Sequence, residues 1–340
     1  MRASNKRSII RLFLSFILTL NIFTFTNIQP ASAGAQIVAS EGFLQGLYAE
    51  VGIRANGAFG SSSVPAGFHA TNSPCIGFRV DRSKDGWGNT IDDGDFFCPG
   101  SPYEDWALSV GGASFYANSN SATGIAGANS NAVTSGTTHS ITWTSTSNLS
   151  GVSVQIVNSI DNAGQTLNTD VTLTNTTASP ITNVYFGRGV DPDNATASGV
   201  YTSTNTVVGQ GSSSFVKAEW TNGSLLGLRS TDSRARVARQ NSGFGSVNPK
   251  TIWDAGEALT SSGSYMGNLG AITADAGIYL AIKEPSLAAN SSTTFRVSYV
   301  LSLTESTVPS REVNLQPIAF LGFALAEALA LFGLVLAFVL

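Results

Sequence analysis

The chain has 340 residues, which is enough for one large domain or two of ordinary size. Only 12% of the residues are charged, against about 25% in typical soluble domains, and the formal net charge is −4. No sustained run of Lys or Arg occurs, so the composition argues against a nucleic-acid partner.

Residues 1–33 have the three parts of a secretory signal peptide. These are a positive segment with Arg2, Lys6, Arg7 and Arg11, an apolar segment from Leu12 to Phe25, and a cleavage site at Ala31-Ser32-Ala33. The alternative is an uncleaved membrane helix, but polar residues such as Thr19 and Asn21 make the segment a poor permanent span. We therefore predict an exported mature chain that begins near Gly34.

The exported segment contains two cysteines, Cys75 and Cys98. An oxidising destination favours a disulfide between them. A zinc site needs four ligands, and the histidines that could contribute are His69 and His139. We predict the disulfide rather than a metal site at these cysteines.

Apolar residues recur with a period of two in several segments between residues 34 and 306, a pattern typical of half-buried strands. The alternating sets are Leu47/Ala49/Val51/Ile53, Val152/Val154/Ile156, Leu167/Thr169/Val171/Leu173 and Phe295/Val297/Tyr299/Leu301, with a further strand at Ile181 to Val190. Turn residues at Asn56-Gly57, at residues 161–164 and at residues 175–180 separate such segments, and the turn at 161–164 predicts a hairpin. No convincing amphipathic helix of three turns occurs. The predicted fold is an all-β, sandwich-like domain over residues 34–306.

Two stretches of this domain have weaker patterns. The region from Pro74 to Trp106 has few regular strands and seven of the 22 acidic residues. The stretch from Ala117 to Thr138 is rich in Asn, Ser, Gly and Ala, and has little to bury.

A twelve-residue segment within the acidic region has the spacing of a calcium loop. Oxygen-bearing side chains occupy positions one, three, five, nine and twelve: Asp81, Ser83, Asp85, Asn89 and Asp92. Gly86 at position six permits the tight turn that lets alternate side chains converge on one hard cation. Lys84 and the lack of flanking helices favour the alternative, an Asx-rich turn with solvated carboxylates. Calcium is the one cofactor that the sequence suggests.

Other candidate sites have simpler interpretations. The acidic turn Asp191-Pro192-Asp193-Asn194 is predicted to be a loop between strands, with calcium or ligand binding as the alternative. The cluster Arg234, Arg236 and Arg239 is predicted to lie on a solvated loop face. Most of the five tryptophans are expected in the core, whereas exposed ones would suit stacking on carbohydrate.

Catalysis has little support in the sequence. There are two histidines and no Gly-x-Ser-x-Gly motif, so nothing indicates a serine hydrolase. Carboxylates such as Glu104/Asp105, Asp254/Glu257 and Glu219 are residues of the type that a glycosidase uses. Surface ion pairs are the simpler interpretation of the same residues.

Residues 307–317 connect the domain to a final apolar segment, Ile318 to Leu340. At about 1.5 Å per residue this segment is long enough to cross a hydrocarbon core about 30 Å thick, so we predict a transmembrane helix. Glu327 lies near its middle, where an ionised carboxylate costs about 2.5–3.5 kcal/mol on insertion scales. A residue of this kind is a functional-site hypothesis, because a plain anchor does not need it.

The segment LGFALAEALALF, from Leu321 to Phe332, resembles the second helix of subunit c of F-type ATP synthases. The resemblance covers residues 316–340 and follows the order of the residues as well as their composition. It implies that Glu327 is the carboxylate that binds and releases a transported proton or sodium ion. Small residues recur on this segment at helical spacing and would let helices approach closely in an oligomer: Gly322, Ala326, Ala330 and Gly333.

The chain departs from subunit c in two respects. No glycine-rich first helix occurs, and Arg311 is separated from Gln316-Pro317, where subunit c has a continuous Arg-Gln-Pro motif. A signal peptide would also place residues 34–306 outside the cytoplasm, so the last helix would run in the direction opposite to that in subunit c.

We interpret the chain as an exported, membrane-anchored surface protein with a binding or structural role. Its anchor would contact membrane lipid, and its extracellular ligand is not indicated by the sequence. The first alternative is a proton-translocating component that uses Glu327 as the carrier. The second alternative is an exported enzyme that acts on polysaccharide.

Overall fold

A computed structural model describes residues 34–69, 75–87, 94–98, 103–118, 122–193, 201–221 and 223–301. The predicted signal peptide, the linker at 307–317, the helix at 318–340 and Glu327 lie outside these ranges and stay predictions. Within the ranges that are described, no helix is long and apolar enough to cross a membrane.

The described residues form twenty strands in three sheets and one α-helix, α1 (Pro249–Glu257), so the predicted all-β class is confirmed. The strands are β1 (Gly34–Val38), β2 (Glu41–Gln45), β3 (Ala49–Ile53), β4 (Phe78–Val80), β5 (Tyr103–Val110), β6 (Ala113–Asn118), β7 (Ala122–Thr123), β8 (Gly127–Ser135), β9 (Thr138–Ser145), β10 (Val152–Asp161), β11 (Leu167–Asn175), β12 (Ile181–Asp191), β13 (Ser203–Gly209), β14 (Ser214–Glu219), β15 (Leu225–Ser230), β16 (Ala235–Gln240), β17 (Tyr265–Met266), β18 (Gly270–Ala274), β19 (Ile278–Leu287) and β20 (Ser292–Val300).

Neighbouring strands within each sheet pair in the antiparallel direction. The small sheet has the order β1-β2-β3-β4. The nine-stranded sheet has the order β18-β13-β14-β15-β20-β11-β10-β9-β8, and the seven-stranded sheet has the order β17-β16-β19-β12-β5-β6-β7.

The main core lies between the nine-stranded and the seven-stranded sheets. Trp106 of β5 packs edge-on against Trp143 of β9, with ring centroids 5.1 Å apart. Phe186 of β12 lies 5.5 Å from Phe295 of β20. Because each pair joins one sheet to the other, the two large sheets form the layers of a sandwich. Such aromatic pairs contribute about 0.5–1.5 kcal/mol each beyond the area that they bury.

The hairpin predicted around residues 161–164 is present. Strands β10 and β11 pair from Val152↔Asn175 to Ile160↔Leu167, and buried residues alternate with more accessible ones along both strands. The carboxylate of Asp161 accepts a hydrogen bond from the Ala163 amide at 3.1 Å, which closes the turn. The period-two pattern therefore identified both the strands and the buried face.

Two segments differ from the sequence-based expectation. Strand β3 is buried at every position, although its alternation predicted one exposed face. Residues 127–135, within the low-complexity stretch, form β8. Backbone pairing to β9 explains this strand, because most of its side chains are at least partly exposed and contribute little apolar burial.

The predicted disulfide between Cys75 and Cys98 is present, with a Cα–Cα distance of 5.8 Å. In the chain-entropy model a loop of this length contributes about 3 kcal/mol. The buried carboxylate of Asp95 lies beside the bridge and accepts backbone hydrogen bonds from four residues, Gly77, Phe78, Phe97 and Cys98. These contacts fix Phe96, whose ring packs on Trp220 with centroids 5.9 Å apart.

Candidate metal centre

Three aspartates converge where the chain passes between the two large sheets. Strand β12 of the seven-stranded sheet ends at Asp191, and Asp193 follows two residues later. Asp275 lies between β18 of the nine-stranded sheet and β19 of the seven-stranded sheet. Because Val190 pairs with Ile278, the end of β12 and the start of β19 are neighbours, and this brings Asp275 close to Asp191.

One carboxylate oxygen from each aspartate lies within 4.8 Å of the others. Oxygen ligands of calcium lie about 2.3–2.6 Å from the ion, so two ligands on opposite sides are about 5 Å apart. The spacing therefore permits all three carboxylates to contact one ion. Asp191 and Asp193 are 2% and 6% exposed, whereas Asp275 is exposed and leaves a path for entry from solvent.

The electrostatics of this cluster also favour a cation. Burial, together with the neighbouring charges of Asp193 and Asp275, raises the pKa of Asp191 to about 8. Burial and the charge of Asp275 raise the pKa of Asp193 to about 7. Among the described residues, no basic side chain forms an ion pair with either group. A bound divalent ion would supply the positive charge that keeps these carboxylates ionised.

Hydrogen bonds hold the segment that carries Asp275 in place. The Asp275 carbonyl accepts a hydrogen bond from the Gly243 amide at 2.9 Å, and the Gly277 amide donates to the Gly243 carbonyl at 3.0 Å. The side-chain amide of Asn205 donates to the Ala276 carbonyl at 2.9 Å. The segment that carries Asp275 is therefore fixed before any ligand binds.

The ligand set determines which metals fit. Three carboxylates form an all-oxygen set, which is typical of hard cations such as calcium, magnesium and manganese, and lacks the nitrogen and sulfur ligands typical of zinc. Calcium accepts six to eight oxygens in flexible geometry, whereas magnesium requires a near-ideal octahedron. Calcium is therefore the best candidate for a site on three short side chains from two separate segments.

The described residues of the predicted calcium loop are not members of the aspartate cluster. The Asp81 carboxylate accepts backbone hydrogen bonds from Asp85 at 3.3 Å and Gly86 at 3.0 Å, which is the pattern of an Asx-type turn. The side chains of Ser83 and Asp85 are exposed. Asn89 and Asp92 lie outside the described residues, so calcium binding by this loop stays a prediction.

Four of the five other carboxylates named from the sequence as glycosidase-type residues have basic partners. Glu104 is buried and accepts hydrogen bonds from Arg188 at 2.9 Å and from the Tyr299 hydroxyl at 2.6 Å. The remaining pairs are Glu219 with Lys217, Asp254 with Lys250, and Glu257 with Arg236. The interpretation of these last three carboxylates as members of ion pairs is confirmed.

The prediction that the arginine cluster lies on a solvated loop face is wrong. Arg236 and Arg239 belong to strand β16, and Arg239 is only 3% exposed. Arg234 precedes this strand and contacts the carboxylates of Asp232 and Glu284. The tryptophan prediction is confirmed for Trp106, Trp143 and Trp220, which are buried.

From the sequence, Asp191 and Asp193 were predicted to lie in a loop between strands, with calcium or ligand binding as the alternative, and Asp275 was not named. The two residues of the turn share a local motif, whereas Asp275 lies far away along the chain in a segment without one. Its position depends on the passage from β18 to β19, which local spacing does not show.

No family model matches the chain, and no curated protein is significantly similar to it. Among solved structures, heparan sulfate lyase HepC from Pedobacter heparinus matches with 10% identity and a TM-score of 0.37, over 79% of this chain and 35% of that one. A bacterial glucoamylase complexed with acarbose matches with 11% identity and a TM-score of 0.39, over 82% of this chain and 33% of that one. The α-galactosidase AgaB from Geobacillus stearothermophilus matches with 8% identity and a TM-score of 0.37, over 79% of this chain and 41% of that one.

The chain spans well under half the length of each of these three enzymes. All three TM-scores are below 0.5, so these similarities carry no argument about the function of this chain.

Proposed function

We propose that residues 34–306 form an exported calcium-binding domain with a binding or structural role at the cell surface. Ile318–Leu340 would hold the domain at the membrane. The observation that supports the cation is the convergence of Asp191, Asp193 and Asp275, two of them buried, with oxygens within 4.8 Å.

The role of the ion follows from the position of the cluster. Asp191 ends a strand of the seven-stranded sheet, and Asp275 begins the connection that leaves the nine-stranded sheet. An ion held by both would tie the two layers together at this end of the domain. Without it, buried like charges destabilise the same end, because desolvation and mutual repulsion both disfavour the ionised forms.

Calcium should therefore stabilise the mature chain against thermal unfolding. A ligand that binds only the folded state contributes about 2.7 kcal/mol at a concentration one hundred times its Kd. We expect calcium to raise the Tm of the wild type and to have little effect on the double variant Asp191→Asn/Asp193→Asn. Asp254→Asn is the matched control, because Asp254 lies on α1 and pairs with Lys250. An equal calcium response in the double variant would count against this site.

The first alternative is a proton-translocating component. The order of residues around Glu327, which resembles the ion-carrying helix of subunit c, is the observation that favours it. Tags near Arg311 and after Leu340 would report which side of the membrane each end occupies. An end after Leu340 on the outside would support the orientation of subunit c and argue against an exported domain with an inward anchor.

The second alternative is an exported enzyme that acts on polysaccharide. Four of the five carboxylates named for it, Glu104, Glu219, Asp254 and Glu257, are each paired with a basic group. No contact among the described residues therefore favours a glycosidase-type acid and nucleophile at these positions.

A further inference from the structure

The two-residue turn between β1 and β2 has a strained backbone. Its residues, Ala39 and Ser40, have φ values of 48° and 72°, the pattern of a type I′ hairpin turn. This left-handed region suits Gly and Asn, whereas in other L residues Cβ crowds the following carbonyl oxygen. Among the described residues other than glycine, this is the one place where two consecutive residues both have positive φ. An extended conformation would therefore relieve strain at both residues.

Strand β1 buries less of its surface than the strand with which it pairs. It lies at the edge of the small sheet, and its residues are half-buried or exposed, whereas every residue of β2 is buried. It also follows the predicted cleavage site directly, so it would be the first strand of the mature chain. A terminal edge strand can leave its place without displacing any other strand of the sheet.

The register of the β1–β2 hairpin permits an exchange of β1 between two copies of the chain. The pairs run symmetrically about the turn, from Gly34↔Gln45 to Val38↔Glu41. If the two turn residues become extended, β1 and β2 form one continuous strand. Two such strands from two copies can pair antiparallel in the same register, with β1 of each copy on β2 of the other. Every pair of the hairpin is then kept, and the arrangement has the two-fold symmetry of a closed dimer.

Exposed apolar side chains lie where the second copy would approach. The two-fold axis of the exchanged dimer would pass between Ala39 and Ser40, which are exposed and so can be reached by a second copy. Val38 and Ile37 directly precede the turn and are 39% and 38% exposed. In the single copy these apolar side chains face solvent, whereas a second domain across the axis would cover part of their surface.

We propose that two copies of the chain exchange β1, so that the first strand of each mature chain pairs with β2 of the other. Strand β1 lies against β8 and β9 in its own domain, and it would make the same contacts in the second copy. The exchanged dimer is therefore favoured by the relaxed turn and by the apolar surface that it covers. None of these residues belongs to the aspartate cluster, so the exchange does not depend on the proposed cation site.

The test is co-expression of two full-length variants, Ile37→Cys and Gly42→Cys. Val38↔Glu41 closes the two-residue turn as a hydrogen-bonded pair, so Ile37↔Gly42 is the next, non-hydrogen-bonded pair, with Cα atoms about 4.5 Å apart. This spacing lies within the range of disulfides, about 4.4–6.8 Å. Exchange places the new thiol of one chain opposite the new thiol of the other. We expect a covalent heterodimer on non-reducing gels, which a reductant separates.

Each variant expressed alone is the control for random contact between chains. In an exchanged dimer of one variant, the two identical positions are not paired with each other, so no interchain bridge should form. A Cβ added at Gly42 lies 3.0 Å from the side-chain tip of Ile141, which can rotate, and the Tm of this variant checks that it folds.

The sequence of the turn should control the amount of exchange. Ala39→Asn/Ser40→Gly, introduced into both chains, gives the type I′ turn its preferred residues and should lower the yield of heterodimer at least tenfold. Ala39→Val/Ser40→Val should raise the yield, because β-branched residues disfavour positive φ. The matched control is Ser150→Gly, which relaxes a φ of 57° in another exposed turn and should leave the yield unchanged.

Sedimentation of full-length chains in detergent, without added cysteines, gives an independent measurement. The Ala39→Asn/Ser40→Gly chain should dimerise at least tenfold more weakly than the wild type. Absence of the covalent heterodimer from co-expressed, folded variants would overturn the proposal. So would equal dimerisation of the wild type and the Asn-Gly variant. Asp191→Asn/Asp193→Asn should dimerise as the wild type does, whether or not the wild type binds calcium.

Discussion

Asp191 and Asp193 are the residues on which the functional account depends. Their carboxylates are buried, and the neighbouring Asp275 adds a like charge rather than a counter-charge. Asp95 is also buried, but four backbone amides donate to it. Within the described part of the chain, no comparable backbone donors contact Asp191 or Asp193. The hydrogen bonds to Asp95 hold its loop in place, whereas the carboxylates of the cluster fit a bound ion.

The stability of the calcium-free chain should fall as the pH rises from about 4 to about 8. The folded pKa values of about 8 for Asp191 and about 7 for Asp193 lie above the ordinary value of 3.8. Between these limits the folded chain binds more protons than the unfolded chain, so each rise in pH favours unfolding. Bound calcium holds the carboxylates ionised and should remove this slope.

The measurement is Tm against pH, with and without saturating calcium. Asp191→Asn/Asp193→Asn is the control, and it should flatten the calcium-free curve because asparagine does not titrate. Curves that stay parallel with and without calcium would show that the cluster does not bind the ion.

At the scale of the elements, the sequence predicted those strands whose burial alternates. Strands β10, β11 and β20 each have one buried face, so the period of two was visible in their apolar residues. Strand β8 was missed because its side chains are polar and its pairing depends on the backbone. Strand β3 was placed correctly, but its full burial depends on neighbours that are distant in sequence.

The difference between local patterns and contacts between distant segments also explains which members of the aspartate cluster the sequence indicated. A turn with two aspartates is local and can be recognised from sequence, whereas its third member depends on which strands become neighbours. Asp275 reaches the cluster because β19 pairs with β12. Sheet order is a property of the whole domain, so local spacing alone could not provide it.

The Cys75–Cys98 bridge should stabilise the segment beside the cation cluster. Removing it in Cys75→Ser/Cys98→Ser should lower the free energy of unfolding by about 3 kcal/mol, because the unfolded chain regains loop entropy. Denaturant unfolding of the mature chain measures this change. Ser83→Ala is a suitable control, since Ser83 is exposed in a neighbouring turn. A loss no larger than that of the control would show that the bridge does not stabilise the domain.

For the whole molecule, we propose an exported β domain that is followed by a helical anchor. The domain is the part that the structure describes, and it supplies the cation cluster. The anchor at Ile318–Leu340 and the signal peptide at residues 1–33 rest on sequence patterns. Their common prediction is a chain whose β domain faces away from the cytoplasm.

Glu327→Gln distinguishes an anchor from an ion carrier. Glutamine keeps the shape of the side chain and removes the ionisable group, so an anchor should insert equally well or better. Surface display of the β domain, measured by protease accessibility in intact cells, should not change. Labelling of wild-type Glu327 by dicyclohexylcarbodiimide, together with co-purification in an ATP synthase ring, would contradict the anchor.

Equilibrium dialysis with radioactive calcium measures whether Asp191, Asp193 and Asp275 bind calcium. We expect the mature wild-type chain to bind one more ion than Asp191→Asn/Asp193→Asn. Asp81→Ala/Asp85→Ala should keep the ion held by the cluster, whether or not the Asp81 loop binds another. Equal numbers of bound ions in the wild type and in Asp191→Asn/Asp193→Asn would contradict calcium binding by the cluster.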